Sequence, residues 1–303
     1  MSELHDHYPV NMSNGFRRMR ACVCVCIPII HALLCTGCMR HTTAGIAGQK
    51  HGTPAALLGI TFVQCPPGEY MMGTPADEVP SGLEGREKQR SVKIEREFWI
   101  SACEITNAQF RQFVVETGYA ERPDEKSLLS RLPQAHMESV FQCDDAPVVF
   151  VNWHDAREFC RWISKKEGRV VRLPTSEEWE YACRAGSREQ FHFGADPELL
   201  SEYAWIRSNS AGSVHSVGKK RPSAWGLYDI HGNVWEWCSD IVDSEIVDAT
   251  PFRDKTCAYI RGGSYQNDPG ACRCACDWAF EPVEYRSECV GFRIVCESPT
   301  NQE

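Results

Sequence analysis

The chain has 303 residues and a net charge of −9, with 43% hydrophobic and 24% charged side chains. This composition is typical of a soluble globular protein, and the length is sufficient to bury a sizeable core. The acidic balance argues against a nucleic-acid partner, because binding to phosphates needs a basic surface.

Residues 1–38 have the pattern of a bacterial export signal. Three arginines form a basic segment, and the apolar run 21–34 that follows is too short to span a bilayer comfortably. The run ends in LCTGC, which is similar to a lipobox with Cys38 as the lipidated residue. An ordinary signal peptide and an uncleaved anchor are the alternatives. We expect an exported lipoprotein, anchored in the membrane through Cys38 on the periplasmic side or at the cell surface, with 39–56 as a tether.

Three short helices are predicted in the part that follows. The sequence TNAQ at Thr106 has capping-box spacing, and Gly118 stops the apolar face that comes after it. A second helix is predicted from the apolar face within 153–168. The sequence TSEE at Thr175 predicts the start of a third helix, which we expect Gly186 to end.

Strand signals are short and lie at 92–94, 98–100 and 292–295. Much of the remaining sequence is rich in Gly, Pro, Asn and Trp and has no helical or strand period. We therefore expect one α+β domain over 57–298, with little regular secondary structure and many ordered loops.

Cysteine is unusually frequent. Five of the 17 cysteines lie in the leader and twelve follow it, which in an exported protein indicates disulfides first. The spacing of Cys272, Cys274 and Cys276 would place all three thiols on one face of a strand, where they could bind Cu(I) or Zn(II). Between these two interpretations of the run, disulfides are favoured.

Seven sequence blocks stand in a recognisable order. They are FVQCPPGEYMMG at 62–73, FWISACEITNAQFRQF at 98–113, PVVFVNWHDA at 147–156, RLPTSEEWEYACRAG at 172–186, WGLYDIHGNVWEW at 225–237, RGGSY at 261–265 and GFR at 291–293. Together they resemble the blocks of the formylglycine-generating enzyme, or sulfatase-modifying factor, family. The resemblance implies that family's irregular α+β fold, which is distantly like C-type lectins.

The block HGNVWEW at 231–237 contains oxygen donors of the kind that calcium prefers. The family holds a structural calcium here, so the resemblance implies side-chain ligands at Asn233 and Glu236 and backbone carbonyl ligands at Gly232 and Val234. The alternative is a tight turn that buries the two tryptophans of the block and places Glu236 in an ion pair.

Active members of the family bind Cu(I) and activate oxygen with two cysteines, five residues apart, after the GGSY-like block. Here the second position falls on Cys272 and the first on Asn267. An amide is a poor ligand for Cu(I), so the copper site is incomplete. By resemblance the catalytic residues would be Cys272 and Ser264, the latter in the groove that receives the substrate peptide.

The resemblance also implies two disulfides. Cys183 occupies a position that bonds back to the region after GGSY in the family, which points to Cys272 or Cys276 as its partner. Cys160 resembles a cysteine that bonds to the strand after GFR, where Cys296 lies. Each bridge would close a loop of about a hundred residues, nominally ~4–5 kcal/mol in the loop-entropy model.

Two functions are compatible with these residues. The first is the copper- and oxygen-dependent oxidation of a sulfatase cysteine to formylglycine, which the departure at Asn267 opposes. The second is a non-catalytic, calcium-stabilised module at the cell surface that binds a peptide, protein or glycan. Arg261 and Arg273 would then pair with a carboxylate or sulfate beside Ser264. For Arg293 we favour a role in the core, bonding backbone carbonyls.

Overall fold

The computed structural model describes most of the predicted domain. The described ranges are 57–75, 87–119, 143–248, 250–277 and 279–298. The predicted leader and tether lie outside them. Within these ranges no helix has the length and apolar character needed to cross a membrane.

Helices occupy a modest share of the described residues. The α-helices are α1 (Asn107–Thr117), α2 (Trp153–Glu167), α3 (Ser176–Arg184), α4 (Leu200–Tyr203) and α5 (Ser244–Asp248). Short 3-10 helices lie at Leu57–Gly59, Pro197–Leu199 and Pro269–Cys272. The first three α-helices confirm the three that the sequence predicts.

The starts of these helices follow from local chemistry. Thr106 and Thr175 each accept a hydrogen bond from the backbone N–H three residues on, and the side chain at that position bonds back, so both predicted capping boxes are present. Asn152 forms a third capping box at the start of α2.

The helix ends differ from prediction at one place. Gly118 and Gly168 end α1 and α2 in the left-handed conformation, at φ values of 66° and 63°. In α3 the left-handed residue is Ala185, at φ 46°, and Gly186 follows it at φ 91°. The helix therefore ends one residue before the predicted glycine, and the N–H of Ala185 donates to the carbonyl of Tyr181.

The strands are short, as expected. They are β1 (Phe62–Cys65), β2 (Gly68–Met72), β3 (Arg90–Ile94), β4 (Phe98–Ser101), β5 (Val171–Arg172), β6 (Trp235–Ile241), β7 (Cys257–Arg261), β8 (Phe280–Pro282), β9 (Val290–Gly291) and β10 (Val295–Glu297). They form sheets in the orders β1-β4-β10-β5, β2-β3 and β8-β7-β6-β9. All pairs are antiparallel except β6 with β9.

The strand predicted at 292–295 begins later, at Val295. The carbonyl of Phe292 accepts from the N–H of Ile105, and that of Ile294 accepts from the N–H of Ser101. Residues 292–294 are therefore hydrogen-bonded to the chain just after β4, and regular strand pairing begins only with β10.

A buried ion pair connects the parts of the domain. Arg293 donates to both carboxylate oxygens of Glu236, at 2.6 and 2.7 Å, and neither residue is more than 1% exposed. The same guanidinium donates to the carbonyls of Ser101 and Tyr228. Trp179 of α3 donates its indole N–H to Glu236 at 2.6 Å. The ion pair thus ties β6, β4, α3 and the C-terminal segment together.

Arg293→Met removes the guanidinium and leaves the Glu236 carboxylate buried without its cation. We expect the free energy of unfolding to fall by about 3–5 kcal/mol, the usual cost of breaking a buried pair from one side. Urea denaturation followed by tryptophan fluorescence measures the change. Arg207→Met is the control, because Arg207 pairs with Asp268 at the exposed surface and such pairs contribute about 0–1 kcal/mol. Equal losses in the two variants would contradict this role.

Candidate functional site

The loop after β7 forms a tight turn around Asn267. The side-chain oxygen of Asn267 accepts from the backbone N–H of Ser264 at 2.9 Å and from its hydroxyl at 2.7 Å. The N–H of Asn267 donates back to the carbonyl of Ser264. Ser264 itself is 0% exposed. Asn267 therefore closes the turn, and the hydroxyl of Ser264 donates its hydrogen bond within the turn.

Cys272 lies buried behind this turn. It is 0% exposed, and it packs in an apolar cluster with Phe191, Leu200 and Ile206. Burial raises the pKa of the Cys272 thiol to about 12, so the thiol stays protonated at neutral pH.

The turn depends on the absence of a side chain at Gly263. Its φ is +75°, and a Cβ there would lie 2.5 Å from the sulfur of Cys272. Position 263 therefore requires glycine for two reasons: its backbone is left-handed, and a side chain would collide with the Cys272 thiol.

The three closely spaced cysteines do not share one face. Cys272 ends a 3-10 helix and the following residues form a turn, so the strand geometry behind the three-thiol interpretation is wrong here. Cys272 and Cys274 lie in different small clusters, and Cys276 belongs to the main core.

Cys274 instead meets two residues from distant parts of the chain. Its sulfur lies 3.4 Å from that of Cys183 on α3. The Cys183 sulfur lies 3.8 Å from Nδ1 and 3.9 Å from Nε2 of His231. The donor atoms of all three residues lie within 4.8 Å of one another, and none of the residues is more than 1% exposed. We call Cys183, His231 and Cys274 the thiol–imidazole cluster.

The two thiols of the cluster differ electrostatically. Burial, together with hydrogen bonding to Cys274, raises the pKa of Cys183 well above that of an ordinary thiol. Burial alone would also raise the pKa of Cys274, but the hydrogen bond from Cys183 and the nearby His231 ring bring it well below the usual value. The arrangement favours a thiolate at Cys274 that accepts from the Cys183 thiol.

Aromatic rings surround His231. Phe191 and Phe193 approach it edge-on with ring centroids at 5.3 and 5.8 Å, and His192 stacks on it at 5.0 Å. Burial lowers the pKa of His192 to about 3, so the stacked ring is uncharged at neutral pH. The sequence indicated only a packing role for His231. Its position beside Cys183 and Cys274 could not be predicted, because the three residues come from distant segments of the chain.

The residues of the predicted calcium block are bonded to other partners. Glu236 is held by Arg293 and Trp179 as described above, which is the ion-pair alternative. Asn233 accepts from the N–H of His215 through its side-chain oxygen and donates to Glu104. A Cβ at Gly232 would lie 2.3 Å from the carbonyl of Trp205, so the turn there is tight. Both tryptophans of the block and Val234 are buried.

Two carboxylates that the sequence did not single out lie beside this block. Glu104 is 2% exposed and Asp229 is 1% exposed. Oε2 of Glu104 and Oδ1 of Asp229 are buried without a hydrogen-bond partner among the described residues. Burial raises the pKa of Asp229 to about 6 and that of Glu104 well above its usual value. Both residues fall inside blocks of the resemblance, but nothing in their spacing marks them as neighbours.

The arginines expected to contact a ligand are internal. Arg261 is 0% exposed and contacts Glu180 at 3.2 Å, and Arg273 is 4% exposed and bonds to Glu87 at 2.7 and 2.8 Å. Their predicted role at a ligand surface is therefore wrong, because both guanidinium groups are committed to buried carboxylates. The core role favoured for Arg293 agrees with its bonds to backbone carbonyls.

The predicted disulfides are not formed in the structure. Cys160, Cys183, Cys276 and Cys296 are free thiols, as are the other cysteines of the described ranges. The sulfur next to Cys183 is that of Cys274, not one of the two proposed partners. Cys160 and Cys296 both lie in the main core cluster. Their pairing stays a prediction about the oxidised protein.

Solved structures place this architecture in a known class. PvdO from Pseudomonas aeruginosa matches it with a TM-score of 0.62 and 27% sequence identity, over 78% of this chain and 94% of that chain. Treponema denticola variable protein 1 matches with a TM-score of 0.60 at 21% identity, over 78% of this chain and 95% of that chain. The second likeness shows the fold alone. The expected irregular α+β fold is confirmed.

Residues 53–298 match the sulfatase-modifying factor enzyme 1-like domain, and the chain belongs to this family. The formylglycine-generating enzyme of Streptomyces coelicolor is 32% identical, over 67% of this chain and 78% of that protein. The formylglycine-generating enzyme of Mus musculus is 27% identical, over 86% of each. The inactive C-alpha-formylglycine-generating enzyme 2 of Bos taurus is 31% identical, over 59% of this chain and 70% of that protein.

Gly263→Ala should destabilise the domain more than Gly212→Ala. Both glycines have φ +75°, but the added Cβ meets the Cys272 sulfur at 2.5 Å in the first and nothing within 4 Å in the second. We expect both variants to lose about 1 kcal/mol to backbone strain, and Gly263→Ala to lose a further 1–3 kcal/mol, roughly, to overpacking. Urea denaturation of both variants measures the difference. Similar losses would show that the turn does not press on Cys272.

Proposed function

We propose that this chain is a non-catalytic member of its family, which binds its ligand without oxidising it. The observation that carries the proposal is the state of the two positions that hold copper in the active members. Asn267 uses its side-chain oxygen to close the turn at Ser264, and Cys272 is a buried, protonated thiol without a second cysteine from the family pair.

The residues at this position do not fit Cu(I). Cu(I) selects soft sulfur donors, and the pair here offers one thiol and one amide oxygen that already accepts two hydrogen bonds. We therefore assign no oxidation step to Cys272 or Ser264. The inactive cattle relative supports this proposal, since a protein of that name is as similar to this chain as the formylglycine-generating enzymes are.

The ligand that we favour is a sulfatase-type peptide. The similarity to formylglycine-generating enzymes supports a peptide of this kind, and other peptides, proteins and glycans are the alternatives. Export with a lipid at Cys38 is part of the same proposal and would place the domain at the membrane surface. Labelled palmitate incorporation that is lost in Cys38→Ala would test the anchor.

We also infer that calcium stabilises the domain, at a position shifted from the one expected. The unpartnered oxygens of Glu104 and Asp229 are hard, buried donors, of the kind that Ca²⁺ takes. Glu104, Asp229 and Glu236 form a group of three carboxylates with one guanidinium, Arg293. Burial raises the pKa of both Glu104 and Asp229, and a divalent cation would compensate the charge that their ionisation creates. Glu104 and Asp229 would hold the ion, with Asn233 beside them, whereas Glu236 is retained by Arg293.

The catalytic proposal is tested with Cu(I), oxygen and a Cys-x-Pro-x-Arg peptide. We expect mass spectrometry to find no formylglycine with the wild-type protein, while fluorescence polarisation detects binding of the peptide. Asn267→Cys supplies the second thiol, and we expect it to increase Cu(I) retention. It should also lose some stability, because a thiol cannot replace the two hydrogen bonds that the amide accepts. Copper-dependent conversion by the wild-type protein would overturn the proposal.

The calcium proposal is tested by thermal unfolding with and without a chelator. At a hundredfold excess over Kd, calcium should raise Tm by about 5–10 °C, from ~2.7 kcal/mol of linkage and 2–4 °C per kcal/mol. Asp229→Asn and Glu104→Gln should abolish the calcium effect, since each replaces a carboxylate that has one unpartnered buried oxygen with an amide, which is a weaker calcium ligand. Asp268→Asn, at an exposed residue, is the control. An unchanged calcium effect in the first two variants would contradict the site.

A further inference from the structure

We propose that the thiol–imidazole cluster of Cys183, His231 and Cys274 is a buried site for one thiophilic metal ion, Zn(II) or Cu(I). The site is separate from the family copper pair at Asn267 and Cys272. It also differs from the calcium position, because its donors are soft sulfur and nitrogen atoms and not oxygen. Its role would be structural, since it joins α3 to the 231–237 block and to the loop after β7.

The spacing of the donors suits a shared ion. The sulfurs of Cys183 and Cys274 lie 3.4 Å apart, much longer than the roughly 2.05 Å of a disulfide. An ion held about 2.3 Å from each sulfur and about 2.0 Å from an imidazole nitrogen can bridge such donors. The 3.8 and 3.9 Å between the Cys183 sulfur and the imidazole nitrogens are within that reach.

His231 is oriented as a metal-binding histidine would be. Its Nδ1 lies 2.7 Å from the carbonyl of Cys272, so Nδ1 must carry the proton and donate it. Nε2 then presents its lone pair, and an imidazole N–H fixed by a backbone carbonyl is the usual support of a metal-bound histidine. In the structure this lone pair accepts a hydrogen bond from the N–H of His192 at 3.3 Å, and an ion bound at Nε2 would displace that bond.

The surroundings exclude water and favour a low coordination number. All three side chains are fully or nearly fully buried, and Phe191 and Phe193 cover the imidazole. Two thiolates and a neutral imidazole carry a charge of −2, which would be costly to bury without a cation. Zn(II) would cancel this charge, whereas Cu(I) would leave −1 but accepts fewer ligands. The two ions are therefore tested separately.

One competing state uses the same two sulfurs. A disulfide oxidant that takes two electrons, with one proton released from the Cys183 thiol, would join Cys183 and the Cys274 thiolate in a disulfide and be reduced to two thiols itself, and that bond would remove both thiolate ligands. The disulfide and the metal are mutually exclusive, so the same experiment can decide between them.

The test uses the full chain, reduced, freed of metal with a chelator and exchanged into buffer without it. Zn(II) and Cu(I) are titrated in separate arms, and metal retained after gel filtration is quantified by mass spectrometry of the elements. We expect one equivalent of one of the two ions to be retained, with a rise in Tm. Co(II) offered in place of Zn(II) should give the absorption of a thiolate-to-cobalt charge transfer.

Cys183→Ser, Cys274→Ser and His231→Gln should each weaken retention at least about 100-fold, because even the partners behind metal ligands contribute 10- to 100-fold. Cys276→Ser is the matched control, since Cys276 is equally buried two residues from Cys274 but lies in another cluster. Should a cluster variant fail to fold, the cobalt spectrum of the wild-type protein still decides whether thiolates bind the metal.

Three results would overturn the proposal. The first is no retained metal and no thiolate charge-transfer band in the reduced protein. The second is equal retention in the folded cluster variants and in Cys276→Ser, which would place the metal elsewhere. The third is a disulfide between Cys183 and Cys274, mapped by peptide mass spectrometry, that re-forms in preference to metal binding when both are offered.

Discussion

The pairing of Glu236 with Arg293 is the constraint on which the arrangement of this domain depends. A carboxylate and a guanidinium that are both buried must stay together, because either one alone would be an uncompensated charge in the core. The pair holds β6 against the GFR segment and, through Trp179, against α3. Since α3 carries Cys183 and the 231–237 block carries His231, the same pair also sets the distance between two members of the thiol–imidazole cluster.

This constraint also decides which carboxylate oxygens beside the 231–237 block remain without a protein partner. Glu236 belongs to the block whose sequence indicates calcium, yet its oxygens are saturated by Arg293 and Trp179. Oε2 of Glu104 and Oδ1 of Asp229 are left without a protein partner among the described residues. The oxygens left without a protein partner thus belong to residues outside the ligand set that the resemblance implies for this block.

The sequence was sufficient for features set by local chemistry. The capping boxes at Thr106 and Thr175 and the glycine stop at Gly118 involve residues within a few positions of each other, so their spacing predicts them. The meeting of Cys183 with Cys274 depends on how α3 packs against a loop 91 residues away, and no local period encodes it. The family resemblance predicted that Cys183 faces this loop. It did not identify Cys274 as the neighbouring cysteine, because cysteines only two residues apart are not distinguished by such a resemblance.

The hydrogen bonds of Asn267 explain how the turn after β7 closes without a sulfur at this position. Asn267 replaces a soft metal donor with an amide whose oxygen accepts the N–H and hydroxyl of Ser264, so the turn gains bonds that a thiol would not form as well. Cys272 is buried in an apolar cluster behind this turn, and burial keeps its thiol protonated. Two thiols and an imidazole converge elsewhere in this chain, at Cys183, Cys274 and His231, and all three lie buried away from the surface.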